Sequence, residues 1–263
     1  YSFYKDLFIA KSIFINGIRW IIGSIRSILH AKFYGVSIFH FHIFYSNILI
    51  LFNIILVKLV LGKVVITIHD VDSFSGSDSS YFLKKNIYKI ADLILTHNQF
   101  SKSEIVNSFP YLESKIRIVP HGNYTPFINL GYKLVHSRDF LRLPQNKKIL
   151  LFFGLIKEVK GLELLLKAFK LLLEKQSDVC LLIAGKAWKN DFSVYQNIID
   201  KCQLSENCII HNHFIAHDDV PYYFSASDLV ILPYKKIYQS GVLLMAMSYE
   251  KPVLVSDLPP LTE

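Results

Sequence analysis

The sequence predicts an α/β fold with doubly wound parallel sheets. Two observations predict it: short apolar runs rich in Val, Ile, Leu and Phe recur along the chain, and helical apolar patterns separate them in strict alternation. Such alternation is typical of parallel sheets, whose ligands bind beyond the carboxyl ends of the strands. With 263 residues and 52% hydrophobic content, the chain has room for two modest domains, each with a core of its own.

Five strands and four helices are predicted in the carboxyl-terminal half. The strands are Lys148–Phe153, Val179–Gly185, Cys208–Asn212, Leu229–Leu232 and Val253–Ser256. The helices are Leu162–Glu174, Asp191–Gln203, Val220–Ala226 and Val242–Tyr249. The loops after the first four strands are therefore the candidate ligand sites.

The amino-terminal half predicts a second α/β layer. Its strands are Val36–Phe44, Val64–Ile68, Leu93–Thr96 and Ile116–Val119. Residues 123–146 are polar, poorly periodic and contain two prolines. We therefore expect an amino-terminal domain over residues 1–125, a linker over 126–146 and a second domain over 147–263.

A small Ser-Gly step follows the strand Leu229–Leu232. Pro233 ends the strand, a polar loop follows, and Ser240 and Gly241 open the next helix. The free N–H groups of a helix start and the positive end of its dipole suit a phosphate, and glycine lets the backbone approach it closely. The pattern indicates an anion site, and an ordinary βαβ connection without a ligand is the alternative.

Two lysines bracket the turn after the strand Lys148–Phe153. Gly154 closes the strand, and Lys157 and Lys160 precede a helix that starts near Gly161. Two ammonium groups beside a helix start can neutralise a diphosphate. The alternative is that both lysines are simply solvated.

Five motifs occur in order in the second half: FFGLIKEVKGLELLLKAF, LLIAGKAW, FSASDLVILPY, QSGVLLMAM and KPVLVSD. In these motifs residues 147–263 resemble the nucleotide-binding domain of the GT-B glycosyltransferases, specifically the large retaining family (group 1, family 4 type) that transfers hexoses from nucleotide sugars onto bacterial polysaccharides. TIHDVDSF, ADLILTHN and IRIVPHGNY resemble the acceptor-side domain of the same enzymes. The resemblance implies two Rossmann-like domains facing one cleft. Both look incomplete, because relatives have a first strand and glycine loop before this start and further elements after Glu263.

The resemblance also implies the donor-binding residues. The groups expected to contact the donor diphosphate are Lys157, Lys160 and the amides of Ser240, Gly241 and Val242. We expect other residues to line the donor cleft, namely Gly154, Gln239 and Glu263, and two to line the acceptor cleft, namely His42 and His121. Most relatives carry two glutamates across the last loop and helix, where this chain has Ile237 and Met245. Some relatives with Gln-Ser-Gly in the loop share this departure, so it leaves donor identity and stereochemistry open.

His69 and Asp70 follow the strand Val64–Ile68 and are the candidate catalytic residues. An attacking acceptor hydroxyl must lose a proton, which a carboxylate or imidazole within reach can accept. If the enzyme inverts, Asp70 is the expected general base. If it retains, as most of the resembled family does, the departing phosphate takes the proton and Asp70 orients a substrate. The alternative is that Asp70 only caps the next segment.

Histidines raise the possibility of a metal site, which we do not predict. His40 and His42 share one strand face, and Asp72 follows His69 and Asp70 in one loop. Strand-end histidines in a polar cleft explain the pattern equally well, and the resembled transferases use protein cations and amides without a metal. Three further histidines, His211, His213 and His217, are expected in a solvated loop. No cofactor is predicted, because the nucleotide sugar is a substrate.

The net charge of +8 is concentrated in part at the start of the chain. Up to Gly62 one acid, Asp6, faces six basic residues: Lys5, Lys11, Arg19, Arg26, Lys32 and Lys58. Basic residues interspersed with large apolar side chains favour binding to an anionic membrane surface. A core helix with a solvated basic edge is the alternative. Neither Phe8–Leu29 nor Ile48–Leu61 predicts a bilayer span. Nucleic acid is not an expected partner, because the basic residues are interleaved with long aliphatic ones.

Composition favours a cytoplasmic protein, peripheral at the inner face of the plasma membrane. The three cysteines are odd in number and have no metal-like spacing, so reduced thiols in a cytosolic compartment explain them most simply. We expect a hexosyltransferase that uses a nucleoside-diphosphate sugar and a lipid-linked or glycan acceptor in surface polysaccharide synthesis. The alternative is a non-catalytic homologue that binds a nucleotide or a partner transferase. An NAD-dependent enzyme is excluded for want of a GxGxxG turn.

Overall fold

The chain divides into two compact units, Tyr1–Pro120 and His121–Glu263. The computed structural model describes residues 3, 12–72 and 81–263, so Lys5, Asp6 and Lys11 of the basic segment lie outside the described residues. Each unit is built on one parallel sheet. The predicted α/β class is therefore confirmed.

The first unit alternates helices and strands. The helices are α1 (Ile13–Phe33), α2 (Ile48–Leu59), α3 (Tyr81–Ile90) and α4 (Gln99–Ser108). The strands are β1 (Ile38–Ile43), β2 (Lys63–Ile68), β3 (Leu93–Thr96) and β4 (Ile116–Ile118), which pair in parallel in this order. All four predicted strands are confirmed: β3 has the predicted ends, and the ends of the other three agree within two residues. None of the described helices is both long and apolar enough to span a membrane.

Asparagine side chains fix the starts of two helices in this unit. Asn47 Oδ1 accepts from Ile50 N–H at 2.9 Å at the start of α2, and Asn98 Oδ1 accepts from Ser101 N–H at 2.8 Å at the start of α4. Each side chain satisfies one of the amides that a helix leaves without a partner. These caps place the ends of β1 and β3 next to short, fixed turns.

The second unit has a five-stranded sheet. Its helices are α5 (Leu134–Phe140), α6 (Leu162–Leu173), α7 (Ser193–Lys201), α8 (Val220–Ala226), α9 (Gly241–Ser248) and α10 (Pro259–Thr262). Its strands are β5 (Lys148–Phe153), β6 (Val179–Ala184), β7 (Cys208–His211), β8 (Leu229–Leu232) and β9 (Val253–Val255). The spatial order is β7-β6-β5-β8-β9, so the direction of strand addition reverses between β5 and β8. That switch point is where an open parallel sheet binds ligands.

Both faces of this sheet are buried. Alternate residues of β5 belong to two apolar clusters: Ile149 and Leu151 pack with α8 and α9, whereas Leu150 and Phe152 pack with α6 and α7. Successive side chains of a strand point to opposite faces, so a doubly covered strand must be apolar throughout. This explains why β5 reads as a continuous hydrophobic run.

The segment 126–146, predicted as a linker, packs onto the second unit through α5. Arg138 is 4% exposed and donates to the carbonyl oxygens of Ala226, Gln145 and Lys147 at 3.0–3.1 Å. Its Nη2 also lies 2.7 Å from Asp228 Oδ2. A buried guanidinium needs such a full set of acceptors. The short, polar α5 gives no periodic signal, so the sequence did not reveal this packing.

Candidate functional site

The loop after β5 packs against the loop after β8 at the switch point. Gly161 has a φ of +69°, and a Cβ at this position would lie 1.9 Å from the carbonyl oxygen of Pro233. The Lys235 N–H also donates to Val159 O at 2.9 Å. Only glycine allows both the left-handed backbone and this close approach. Gly161 therefore holds Lys160 beside the β8 loop.

Gly154, a predicted cleft residue, lies beside the first turn of α9. Its φ is +103°, and a Cβ there would lie 3.3 Å from Val242 Cγ2. The end of β5 and the start of α9 thus approach each other closely. Gly154 and Val242, two of the predicted residues, are brought together.

Helix α9 begins where these loops converge. The Ser240 hydroxyl accepts from Leu243 N–H at 3.1 Å and donates to Tyr234 Oη at 3.5 Å. The helix provides no acceptor for the N–H groups of Gly241 and Val242, because the first amides of an α-helix precede its i−4 hydrogen bonds. These two amides and the positive end of the helix dipole thus form a candidate anion-binding site.

The side chains of the two predicted lysines, Lys157 and Lys160, contact different loops. Lys160 Nζ lies 3.8 Å from the ring centroid of Tyr234, the residue that accepts from Ser240. Burial raises the pKa of Tyr234 to about 12, so its ring stays neutral at physiological pH. Lys157 Nζ instead lies 4.5 Å from the ring centroid of Trp188, in the loop after β6. Contacts in the structure therefore link Lys160, but not Lys157, to the α9 start.

Tyr124, which the sequence analysis did not single out, also lies at the α9 start. Its N–H donates to Ser248 Oγ at 3.0 Å, and its Oη is 3.0 Å from the position that a Gly241 Cβ would occupy. A tyrosine in a polar loop carries no sequence signal of its own. Only the fold brings its hydroxyl to Gly241.

The remaining predicted donor residues occupy different surroundings. Gln239 is half-buried next to Ser240, and Glu263 is exposed after α10. Ile237 is buried in the apolar cluster of α8 and α9, and Met245 packs against the same cluster. Of the two positions where the resemblance implies glutamates, Ile237 therefore lies in the core, and Met245 is partly buried at its edge.

In the first unit, aromatic side chains gather at the carboxyl ends of β1, β2 and β3. His42 Nδ1 lies 2.9 Å from His69 Nε2. The His69 ring stacks on Phe44 at 4.3 Å between centroids and lies 5.0 Å from the ring of His97. The structure thus joins His42, predicted near the acceptor, to the predicted catalytic residue His69.

Asp70 follows His69 directly and is half-buried. Asp72, two residues further on, forms an ion pair with Lys84 of α3. His121 belongs to the second unit, where its Nδ1 lies 2.7 Å from Gly122 O. The two predicted acceptor residues, His42 and His121, are therefore in different units.

A metal site is not evident in the part of the chain that the structure describes. Over residues 3, 12–72 and 81–263, no group of three or more His, Cys, Asp or Glu side chains is placed to hold a metal ion. Burial raises the pKa of Cys208 to about 12, which keeps this thiol protonated and unreactive. The absence of a metal from the reaction stays a prediction.

We expect the free energy of unfolding to fall as the pH drops below about 6.5. Burial, and secondly His42, lowers the pKa of His40 from 6.5; burial, and secondly His213, lowers that of His211. The unfolded chain therefore binds more protons, so stability present above the unfolded pKa is lost as pH falls toward the folded pKa. Urea unfolding at about pH 7.5 and about pH 5.5 measures this difference.

His40→Gln is the variant for that experiment. His40 Nε2 lies 2.7 Å from Thr67 Oγ1, and glutamine offers a polar replacement that does not titrate. The variant should lose part of the pH dependence. Equal stability at the two pH values, or greater stability at the lower one, would contradict the expectation.

Comparison with solved structures defines the class of the fold. Over 91% of its length, the chain superposes on 64% of HepE from Anabaena, solved with UDP-glucose, with a TM-score of 0.70 and 16% identity. A glycosyltransferase from Rickettsia africae gives a TM-score of 0.72 at 17% identity over 95% of this chain and 64% of that one. The two units, each built on a parallel sheet, have the GT-B fold.

The sequence comparison then gives the family. Residues 136–263 match the family described as glycosyl transferases group 1. It is 27% identical over 178 residues to the putative glycosyltransferase YtcC of Bacillus subtilis, covering 65% of this chain and 44% of YtcC. It is 26% identical over 228 residues to O-antigen chain mannosyltransferase B of Escherichia coli, covering 77% of this chain and 55% of that protein. The chain thus spans about half the length of these relatives.

Proposed function

We propose that this chain is part of a glycosyltransferase that moves a hexosyl unit from a nucleoside-diphosphate sugar to a lipid-linked or glycan acceptor in surface polysaccharide synthesis. One observation carries the proposal: Lys160 and the Ser240–Val242 helix start are held together at the switch point of the second sheet. That arrangement combines a cation, backbone amides and a helix dipole.

These groups suit the departing diphosphate of a nucleotide sugar. Negative charge grows on the diphosphate as the sugar leaves, and preorganised donors aimed at that charge stabilise the transition state. Lys160 supplies the positive charge, and Gly241 and Val242 supply N–H donors. The close contact of Gly161 with Pro233 fixes the lysine relative to the helix start.

The relatives support a hexose donor. HepE was solved with UDP-glucose, and the relative from E. coli is named as an O-antigen chain mannosyltransferase. Because positions 237 and 245 are Ile237 and Met245, this chain must hold its donor sugar and ribose without carboxylates at these positions. Gln239 and Tyr124, both next to the helix start, are the polar side chains we propose for this role.

On the acceptor side, we propose Asp70 and His69 as the groups that bind the attacking hydroxyl or take its proton. The hydrogen bond between the His42 and His69 rings and the stacking on Phe44 fix the orientation of His69. Asp70 is the general base if the enzyme inverts, and an orienting group if it retains. Both residues follow the carboxyl end of β2, where parallel sheets present functional groups.

A non-catalytic homologue that binds a nucleotide is the second candidate function. The observation in its favour is that Ile237, buried in the core, and Met245, partly buried, stand where the resemblance implies glutamates. Incubation with a panel of nucleotide sugars and candidate glycan acceptors, following release of nucleoside diphosphate, distinguishes the two. Release with one donor supports the transferase; nucleotide binding without release from any donor supports the homologue.

Lys160→Ala should weaken the binding of nucleoside diphosphate about tenfold to a hundredfold, since a charge-assisted hydrogen bond contributes roughly 1.5–3 kcal/mol. Calorimetry with UDP and GDP measures the change. Lys157→Ala is the matched control, because it removes the same charge from the same turn on the Trp188 side. Equal losses in both variants, or none in Lys160→Ala, would contradict the assignment.

We also propose that the first unit rests on an anionic membrane surface through α1. Phe14, Ile18 and Ile22 are exposed at four-residue spacing, and Arg19 and Arg26 are exposed beside them. An apolar stripe with basic neighbours is typical of interfacial helices.

Binding to anionic vesicles should therefore weaken as salt rises, because each basic residue near such a surface contributes on the order of 1 kcal/mol of screenable attraction. Co-sedimentation at rising salt measures this, and an Arg19→Ser, Arg26→Ser variant should bind less. Equal binding to neutral and anionic vesicles would argue against the surface.

A further inference from the structure

A cavity outside the proposed donor site lies between the loops after β5 and β6. Its volume is about 450 Å³, within the range of small-molecule sites. One wall comes from Ile156, Lys157 and Glu163, and the other from Trp188 and Tyr195. We call this cavity the Trp188 pocket.

Backbone hydrogen bonds make the floor of the Trp188 pocket rigid. Ile156 N–H donates to Lys186 O at 2.9 Å, and Trp188 N–H donates to Ile156 O at 2.8 Å. Ile156 and Ala187 form a parallel β-bridge. The two loops are thus joined as a short extension of the sheet, and the pocket is preformed.

The indole of Trp188 is 48% exposed in this pocket. A large aromatic ring left in water on a fixed loop offers a flat apolar surface to a ligand. The ammonium of Lys157 lies 4.5 Å from the ring centroid, a contact that is weak at an exposed site and that a ligand can replace.

A carboxylate in the same pocket lacks part of its hydrogen bonding. Glu163 forms an ion pair with Lys235 through Oε1, whereas its Oε2 is buried and has no hydrogen-bond partner among the described residues. A buried carboxylate oxygen without a donor is costly. The Glu163 side chain as a whole is 22% exposed and lines the pocket, so its carboxylate is a candidate acceptor for a ligand hydroxyl.

The charges of the pocket favour a neutral ligand. Its acidic residues, Glu158, Glu163 and Asp191, are balanced by Lys157 and Lys189 of the lining and by Lys235, which pairs with both glutamates. Tyr195 stays protonated, because burial and then Glu163 and Glu158 raise the pKa of its hydroxyl. With no excess of either sign, a phosphate or an ammonium ligand gains little here.

We propose that the Trp188 pocket binds one neutral sugar ring, with the apolar C–H face of the ring on the indole and a ring hydroxyl donating to the Glu163 carboxylate. The pocket matches a pyranose in combining a flat aromatic surface with ionised acceptors and lysine donors. Such a site gives a glycan a second point of attachment beside the donor site.

The fluorescence of Trp188 tests this proposal in the full chain. The chain has two tryptophans, so Trp20→Phe leaves Trp188 as the only one. Titration of this variant with glucose, mannose and galactose should give a saturable change with at least one sugar. Introducing Glu163→Gln into this variant should weaken the binding of that sugar about tenfold, because a neutral amide is a weaker hydrogen-bond acceptor than a carboxylate. Tyr195→Phe is a second lining variant if Glu163→Gln does not fold.

Two controls separate this proposal from the proposed function. Lys160→Ala should leave sugar binding unchanged, and Glu163→Gln should leave the affinity for UDP or GDP unchanged. No saturable change with any of the three sugars, an equal change with glycerol, or sugar binding unaltered in folded Glu163→Gln and Tyr195→Phe variants would overturn the proposal.

Discussion

Replacing Arg138 with alanine should lower the free energy of unfolding of the second unit by about 3–5 kcal/mol, the usual cost of removing one partner of a buried ion pair. Arg138 is almost fully buried and bonds to Asp228 and three carbonyl oxygens. Its loss would leave these acceptors without their donor, and Asp228 would keep the Ile149 N–H and the more distant ammonium of Lys148. Urea unfolding with extrapolation to water measures the change.

Lys148→Ala is the matched control. The Lys148 ammonium lies 3.6 Å from the other oxygen of Asp228, but its side chain is 65% exposed. Exposed ion pairs contribute about 0–1 kcal/mol, so the free energy of unfolding of this variant should be close to that of the parent protein. Similar losses in the two variants would show that α5 is not fixed by Arg138.

Replacing Asp70 with asparagine should reduce turnover roughly 10²–10⁴-fold if Asp70 is the general base, because the amide keeps the shape but cannot take the proton. Donor binding should be unchanged, since the proposed diphosphate ligands are in the second unit. Initial rates of nucleoside diphosphate release, together with calorimetry of donor binding, measure both quantities.

Asp72→Asn is the control in the same loop. Asp72 pairs with Lys84, so its replacement should affect the local ion pair and leave turnover near that of the parent. NMR of the anomeric configuration of the product assigns the mechanism. Inversion, together with a large fall in the turnover of Asp70→Asn, supports Asp70 as the general base. Normal turnover of Asp70→Asn would rule the base out.

Much of the second unit was predictable because its central strands, β5 and β6, are buried on both faces. A strand covered on both faces, such as β5, must be apolar at nearly every position. Such a continuous apolar run can be recognised in the sequence alone. The loops at Gly154 and Ser240 were predictable for a related reason, since the carboxyl ends of parallel strands share one edge. The placement of Gly154 against Val242 agrees with that expectation.

Side-chain directions were not predictable in the same way. Lys157 and Lys160 read as an equivalent pair, yet a single turn separates them so that one lies on Trp188 and the other on Tyr234. The role of Arg138 depends on Asp228, which is distant in sequence, and no local pattern reveals such a pair. Contacts of this kind arise from tertiary packing, which propensity and periodicity do not encode.

The central claim is that the start of α9 binds the diphosphate of a nucleotide, and the amide resonances of Gly241 and Val242 test it most directly. In two-dimensional ¹H–¹⁵N NMR of the labelled protein, titration with UDP or GDP should shift both resonances to saturation with one dissociation constant. The corresponding nucleosides, which lack the diphosphate, should leave them in place, and Lys160→Ala should require higher concentrations of nucleotide. Unmoved Gly241 and Val242 resonances at concentrations that saturate shifts elsewhere in the protein would contradict the claim.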